Sequence, residues 1–269
     1  MSASDVRIPT RSGQVKGRLL LPDTTPVGVV VYLHGGGWML GTLDDFDALG
    51  RHLADRSRCA VLMVDYRLAP EHPFPAGLDD AEDALDHVAS DGLAAECSGL
   101  APGLPLVIAG DSAGGNLATV VAALVRHRIR LALQLMIYPA TDSRMSTPSY
   151  ERHADSPFLS RADARWFYRH YAPQAIWSDP RISPLLAADL SGLPPAWIAV
   201  AEHDILHDEG VAYAHRLAAD GVPVVLRRFE GVTHGCARMM NILEPADLLV
   251  SEAAAAMAAA CRGRQQACT

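Results

Sequence analysis

Residues 105–118, PLVIAGDSAGGNLA, decide the fold. The apolar run 105–109 reads as a buried strand, and Gly110-Asp111-Ser112-Ala113-Gly114 follows it at once. Leu117, Val120, Val121, Leu124 and Val125 then recur at the i, i+3, i+4 spacing of a helix. Strand, five-residue turn and helix make the setting of a nucleophile elbow, a strained turn that holds a serine hydroxyl clear of the backbone. Glycines flank the serine for a steric reason, because strand and helix must approach closely there. A G-x-S-x-G match alone is often an ordinary glycine-rich turn; its place between a buried strand and a helix gives it chemical meaning.

The same alternation extends outward along the chain. Apolar runs at 27–33, 59–64, 132–138, 196–201 and 222–229 are separated by helical patterns, among them the face Leu78, Ala81, Leu85 and Val88. Strands that are apolar throughout are buried on both faces, so the expected class is α/β, a mostly parallel central sheet with helices on both faces. Residues 14–21 (QVKGRLLL) alternate and read as an early antiparallel strand in a two-stranded start. The rhythm breaks from about 141 to 195, where ADARWFYRHY is bounded by Pro157, Pro173, Pro180 and Pro184. That stretch is expected to be a small helical cap inserted into a single domain spanning 1–269. The Ala-rich 253–260 reads as helix, and the polar RGRQQACT after it as a fraying tail.

Composition narrows the function classes. With 269 residues, 49% of them hydrophobic and 20% charged, the chain can bury one large core. A net charge of −8 argues against a nucleic-acid partner, and Arg126, Arg128 and Arg130 read as a solvated group at a helix end. No apolar stretch of signal-peptide or membrane-spanning length is present, so no membrane span is expected and the cytoplasm is the expected location. Cys59, Cys97, Cys236, Cys261 and Cys268 are odd in number and lack a C-x-x-C pair, which reads as reduced thiols. His203 and His207 have i, i+4 spacing but no third ligand or H-E-x-x-H pattern, so no metal is expected.

Three further segments emerge at the same carboxyl edge of the sheet as Ser112. His34-Gly35-Gly36-Gly37 follows the run 27–33, and glycines there let backbone N–H groups face an oxygen that becomes negative. Gly35, Gly36, Gly37 and the Ala113 N–H are thus the expected oxyanion donors; a phosphate cradle would want a following Lys or a G-x-G-x-x-G spacing. Asp204 lies three residues past the run 196–201, whereas Asp208 and Glu209 fall in the first turn of a helix, so Asp204 is the expected acid. His234 follows the run 222–229 by a loop over 230–233 and is the expected base. Each residue alone has a bland reading, since one histidine among 11 is most often surface or packing. Together they give Ser, then Asp, then His at matched strand ends.

The chain also resembles the hormone-sensitive-lipase-like esterases of the α/β-hydrolase fold. The likeness rests on HGGGW at 34–38, YRLAPEHPFPA at 66–76, GDSAGGNLA at 110–118, SDPRISPLL at 178–186, DILHDEG at 204–210 and THG at 233–235, and runs from about 27 to 250. The resemblance implies hydrolysis of short- to medium-chain carboxylic esters through an acyl-enzyme, without cofactor, with a triad at Ser112, Asp204 and His234. Two features depart from the family pattern. Only 33 residues precede His34, where many relatives have a longer helical cap segment, and Cys236 stands where an aromatic usually follows His-Gly. Both are expected to open the pocket, with Trp38, Phe158, Trp166 and Leu206 as substrate-binding residues and short acyl chains favoured. The same acid–base groups would serve a lactone, carbamate or arylamide hydrolase, and a non-catalytic ligand receptor on this scaffold is a further alternative. The late strand 222–229 is a candidate pairing edge for a homodimer.

Overall fold

A short turn at Arg11 and Ser12 joins β1 (Ser2–Thr10) to β2 (Gly13–Leu21), which pair antiparallel from Thr10↔Gly13 to Ser2↔Leu21. A computed structural model describes residues 1–267. β1 carries no apolar run for sequence patterns to detect, since Ile8 alone of its residues is buried. It is an edge strand, where Pro9 is tolerated.

The run VVVYL becomes β3 (Val29–Leu33), buried at every position. Val29, Val31 and Leu33 enter the core under one face of the sheet, and Val30 and Tyr32 the core under the other. β3 lies between β4 (Ala60–Asp65) and β5 (Leu106–Asp111), parallel to both. β6 (Leu133–Ile137), β7 (Ala196–His203) and β8 (Val224–Thr233) continue the parallel part, and β2 pairs antiparallel with β4. The order of the eight strands is β1-β2-β4-β3-β5-β6-β7-β8. From β3 the chain winds one way to β4 and the other way to β5, so a crevice opens beyond the carboxyl ends of β3 and β5.

One face is covered by α1 (Leu43–Ser57) and α8 (Glu244–Ala267), the other by α2 (Ala76–Ala89), α4 (Ala113–Val125) and α7 (His207–Ala219); α3 (Gly92–Glu96) is a single turn after α2. α1 starts where Thr42 and Asp45 form a reciprocal capping box, and Phe46, Leu49 and Leu53 give it a buried stripe. α8 continues through most of the segment expected to fray. Cys59, Cys97, Cys236 and Cys261 are free thiols, and Cys268 lies outside the described residues. Among the described residues no helix is long and apolar enough to cross a membrane.

Between β6 and β7 the chain forms α5 (Pro148–Arg152), α6 (Arg161–Tyr171) and the single turns Gln174–Ile176 and Pro184–Leu186. α6 opens on a capping box between Ser160 and Asp163 and turns Ala164, Tyr168 and Tyr171 inward. Tyr171 stacks on Trp38 with ring centroids 4.4 Å apart, and Tyr168 meets the same indole at 5.0 Å. Such ring pairs contribute about 0.5–1.5 kcal/mol each beyond burial, against about 0–1 kcal/mol for the Arg161–Glu151 ion pair at the helix's outer edge. Aromatic packing, not surface charge, seats this segment. Asn116 of α4 ties it further by donating to the carbonyls of Ala140 and Ile182.

Candidate active site

Ser112 joins β5 to α4 with φ 54° and ψ −119°, a strained conformation for a residue with a side chain. Both ends of the serine are fixed: its N–H donates to Ile137 O at 2.8 Å, and its carbonyl accepts from Asn116 N at 3.0 Å. A Cβ on Gly114 would lie 2.0 Å from the Leu33 carbonyl oxygen, so only glycine lets α4 begin this close to β3.

The other strand ends deliver their side chains to the same point. β7 runs to His203 and β8 to Thr233, each longer than its apolar run, with a register irregularity between Ala201 and His203. Asp204 and His234 therefore follow their strands directly, and residues 230–233, expected as loop, are strand. His234 Nδ1 donates to Asp204 Oδ2 at 2.7 Å, and His234 Nε2 lies 2.8 Å from Ser112 Oγ. With its proton held on Nδ1 by the carboxylate, the imidazole presents Nε2 as acceptor to the serine hydroxyl. Asp204 Oδ1 accepts from the Leu206 N–H at 2.9 Å, and Tyr138 packs against the His234 ring at 4.7 Å. Asp208 points elsewhere, bonding the Ser149 N–H and Arg152.

The loop after β3 departs from expectation at one glycine. The Gly35 N–H donates to Asp111 Oδ1 at 2.9 Å and is turned away from the serine, so it is no oxyanion donor. The N–H groups of Gly36 and Gly37 find no acceptor among the described residues, and Ala113 opens α4, where N–H groups lack intrahelical partners. Gly37, with φ +60°, also lies under α6: a Cβ there would meet the Phe167 ring at 2.4 Å. His34 is buried, its Nδ1–H donates to the Gly35 carbonyl at 2.7 Å, and its ring stacks on Tyr66. Burial lowers its pKa, which keeps the ring neutral.

A cavity of about 620 Å³ opens over Ser112 and His234. Trp38, Phe158 and Leu206 line it, Trp38 as a buried wall and Phe158 as a rim residue 70% exposed. Trp166 does not line it; it faces outward on α6 against His170, and its neighbour Phe167 takes the inner place. Cys236 does not widen the cavity either. Gly235, at φ 77°, reverses the chain and sends Cys236 into the core beneath the sheet, where burial pushes its thiol up to about 12. His207 and His203, spaced i, i+4, do not converge on a metal site: His207 Nδ1 faces the Ala201 carbonyl and His203 lies beside Glu202. Among the described residues no group of three His, Cys, Asp or Glu side chains is placed to hold a metal ion.

A family model described as α/β hydrolase fold matches residues 30–238. The chain belongs to the α/β-hydrolase family. Within it the likeness is to the hormone-sensitive-lipase-like branch. Over 219 residues this hydrolase is 46% identical to the carboxylesterase NlhH of Mycobacterium tuberculosis, covering 79% of this chain and 67% of that one. It is 42% identical over 253 residues to an ethyl acetate hydrolase of Pseudomonas putida, covering 91% and 78%. A solved structure of a hyperthermophilic esterase from the archaeon Pyrobaculum calidifontis superposes with a TM-score of 0.90 at 40% identity, covering 96% of this chain and 85% of that one.

Several residues around the site escaped sequence reasoning. Asp111 sits inside the elbow motif Gly110–Gly114, yet nothing in its spacing tells that its carboxylate receives both the Gly35 N–H and the Tyr32 hydroxyl. Leu40, Asp45, Phe46, Arg238 and Met239 complete one side of the cavity. Arg238 had a signal available, because it stands four residues after the candidate base.

Proposed function

We propose that this hydrolase is a serine carboxylesterase acting on small-molecule esters through an acyl-enzyme. The continuous hydrogen-bonded line from Asp204 through His234 to Ser112, at 2.7 and 2.8 Å, is the observation that carries this reading. Ser112 Oγ attacks the ester carbonyl while His234 Nε2 takes its proton, and the same nitrogen then protonates the leaving alcohol. Asp204 holds the imidazole in the tautomer that leaves Nε2 free and balances the imidazolium that forms. The N–H groups of Gly36, Gly37 and Ala113 receive the developing oxyanion. Water then repeats the sequence on the acyl-enzyme and releases the acid. Trp38, Phe158, Phe167 and Leu206 supply the apolar walls that hold the acyl and alcohol portions.

The experiment is covalent labelling with a fluorophosphonate, with turnover of phenyl butanoate measured in parallel. Wild-type protein labels at Ser112 and turns over, whereas Ser112→Ala does neither while keeping its circular dichroism spectrum. Activity surviving in Ser112→Ala refutes the assignment. The proposal extends to assembly: β8 is an edge strand with Val225 53% exposed, a surface open to pairing with a second copy. A monomer in sedimentation at micromolar concentration removes that part.

A further inference from the structure

Arg238 sits on the turn Cys236–Met239, four residues after His234, and lines the cavity over Ser112. Its guanidinium lies 4.9 Å from the centroid of the Phe46 ring, a cation–π seat that holds the group against the cavity wall. Its charge reaches the interior, opposing the upward push that burial gives the Tyr32 and Tyr138 hydroxyls. In this acidic chain many guanidiniums sit against carboxylates, as Arg11, Arg18, Arg67, Arg128 and Arg227 do. Arg238 is exposed, lines the cavity and makes no ion pair and no side-chain hydrogen bond to another described residue, so its donors are available to a ligand that enters there.

Two carboxylates line the same space, and both are engaged by their own loops. Asp45 Oδ2 accepts from the Thr42 N–H and hydroxyl, and Asp111 Oδ1 accepts from Gly35 and Tyr32. Neither lies within ion-pair distance of Arg238. Chemistry fixes which part of an ester meets this cation. His234 Nε2 must deliver its proton to the leaving oxygen, so the alcohol portion lies on the histidine side, toward Gly235, Arg238 and Met239. The carbonyl oxygen points instead to Gly36, Gly37 and Ala113.

We propose that Arg238 is a specificity determinant that favours esters whose alcohol portion carries a carboxylate, such as O-acylated hydroxy acids. The proposal rests on the ester-hydrolysis reading and names its substrate class. A guanidinium presents a planar fork of N–H donors that matches a carboxylate, and the buried Phe46 ring beneath it fixes where that fork stands.

Three butanoate esters of matched shape test it: phenyl, 3-carbamoylphenyl and 3-carboxyphenyl butanoate, with monophenyl glutarate placing the charge on the acyl side. In the wild type, kcat/KM for the 3-carboxyphenyl ester is expected to exceed that for its 3-carbamoyl isostere by about five- to tenfold at low salt, mostly through KM. Arg238→Gln is expected to collapse that ratio toward one, and Arg238→Lys to keep part of it, because charge survives without the fork. Added salt at 0.5 M should erode the wild-type ratio, since an exposed pair is screened. A ratio indifferent to Arg238→Gln, or a dependence confined to monophenyl glutarate, overturns the assignment. Failure of the wild type to hydrolyse phenyl butanoate at all overturns the esterase reading itself, which separates the two failures.

Discussion

The Gly35 N–H donates to Asp111 Oδ1 across the gap between β3 and β5, at 2.9 Å. Through this bond the elbow holds the glycine loop, because the same oxygen also accepts the Tyr32 hydroxyl at 2.8 Å. Burial raises the Asp111 pKa, and the Tyr32 bond opposes that rise. Loop position matters because Gly36 and Gly37 follow directly, and an oxyanion donor displaced by about 1 Å costs on the order of 10²-fold in rate. Asp111→Ala is therefore expected to lower kcat by that order with a smaller change in KM. Asp111→Asn keeps an oxygen acceptor and should retain most activity. Equal losses in the two variants would show that the charge of Asp111, not its hold on the loop, is what matters.

Asp204 and Asp208 stand four residues apart, and only one faces the histidine. Asp204 Oδ2 receives His234 Nδ1, whereas Asp208 bonds Ser149 and Arg152 near the surface. Asp204→Asn would favour the wrong imidazole tautomer and is expected to lower kcat by about 10⁴-fold. Asp208→Asn removes a partly exposed ion pair, worth about 0–1 kcal/mol of stability, and should leave turnover nearly intact. Steady-state rates on one short-chain ester rank the two. The reverse ranking would mean that the acid is not Asp204.

Why the triad positions could be read from sequence, while parts of their surroundings could not, follows from what spacing encodes. Ser112 and Asp204 follow β5 and β7, whose strand ends are visible because their apolar runs are buried on both faces, and His234 follows β8, an edge strand that shows itself through Val224, Val225 and Leu226. β1 was invisible for the opposite reason, since SASDVRIPT is an exposed edge. Trp166, Phe167 and Tyr168 are adjacent, so composition alone does not say which ring faces the cavity. Helical phase decides it, and the structure sets that phase with the Ser160–Asp163 capping box at the start of α6. The fates of Gly35 and Cys236 depend on single backbone choices, a hydrogen bond to Asp111 and a positive φ at Gly235, that no residue pattern records.

Glu209 gives the fold a pH dependence of known sign. Its side chain is fully buried at the start of α7, and Oε1 accepts from the Thr141 and Asp142 N–H groups at 2.5 and 3.2 Å. Oε2 has no partner of ordinary geometry near Tyr150. Burial pushes its pKa up to about 8, partly offset by the Thr141 N–H. A carboxyl raised in the folded state keeps its proton where the unfolded chain has lost it. Its contribution is complete below the ordinary glutamate range of about 4.3 and is lost as pH rises toward 8, at about 1.4 kcal/mol per unit. Glu209→Gln keeps the oxygen acceptor without the titration. Urea unfolding at pH 5, 6.5 and 8 should show the wild type losing stability relative to Glu209→Gln across that window. Parallel curves would show that Glu209 is not protonated in the folded protein.

The cavity walls predict the acyl preference. Trp38 closes one wall, immobilised by stacking on Tyr171 at 4.4 Å and by contact with Tyr168, while Leu206 and Ala164 add further buried surface. Phe158, 70% exposed, stands at the rim. Each methylene that stays inside contributes about 0.8 kcal/mol, roughly fourfold in kcat/KM, and a methylene that emerges past the rim contributes little. Across p-nitrophenyl esters from acetate to dodecanoate, kcat/KM should therefore rise over the first few carbons and then level or fall. Ala164→Phe, which fills part of the cavity from α6, should shift the maximum to still shorter chains. A specificity constant that climbs steadily to dodecanoate would require an apolar channel longer than the cavity beneath α6, and would overturn the reading of Trp38 as a closed wall of that cavity.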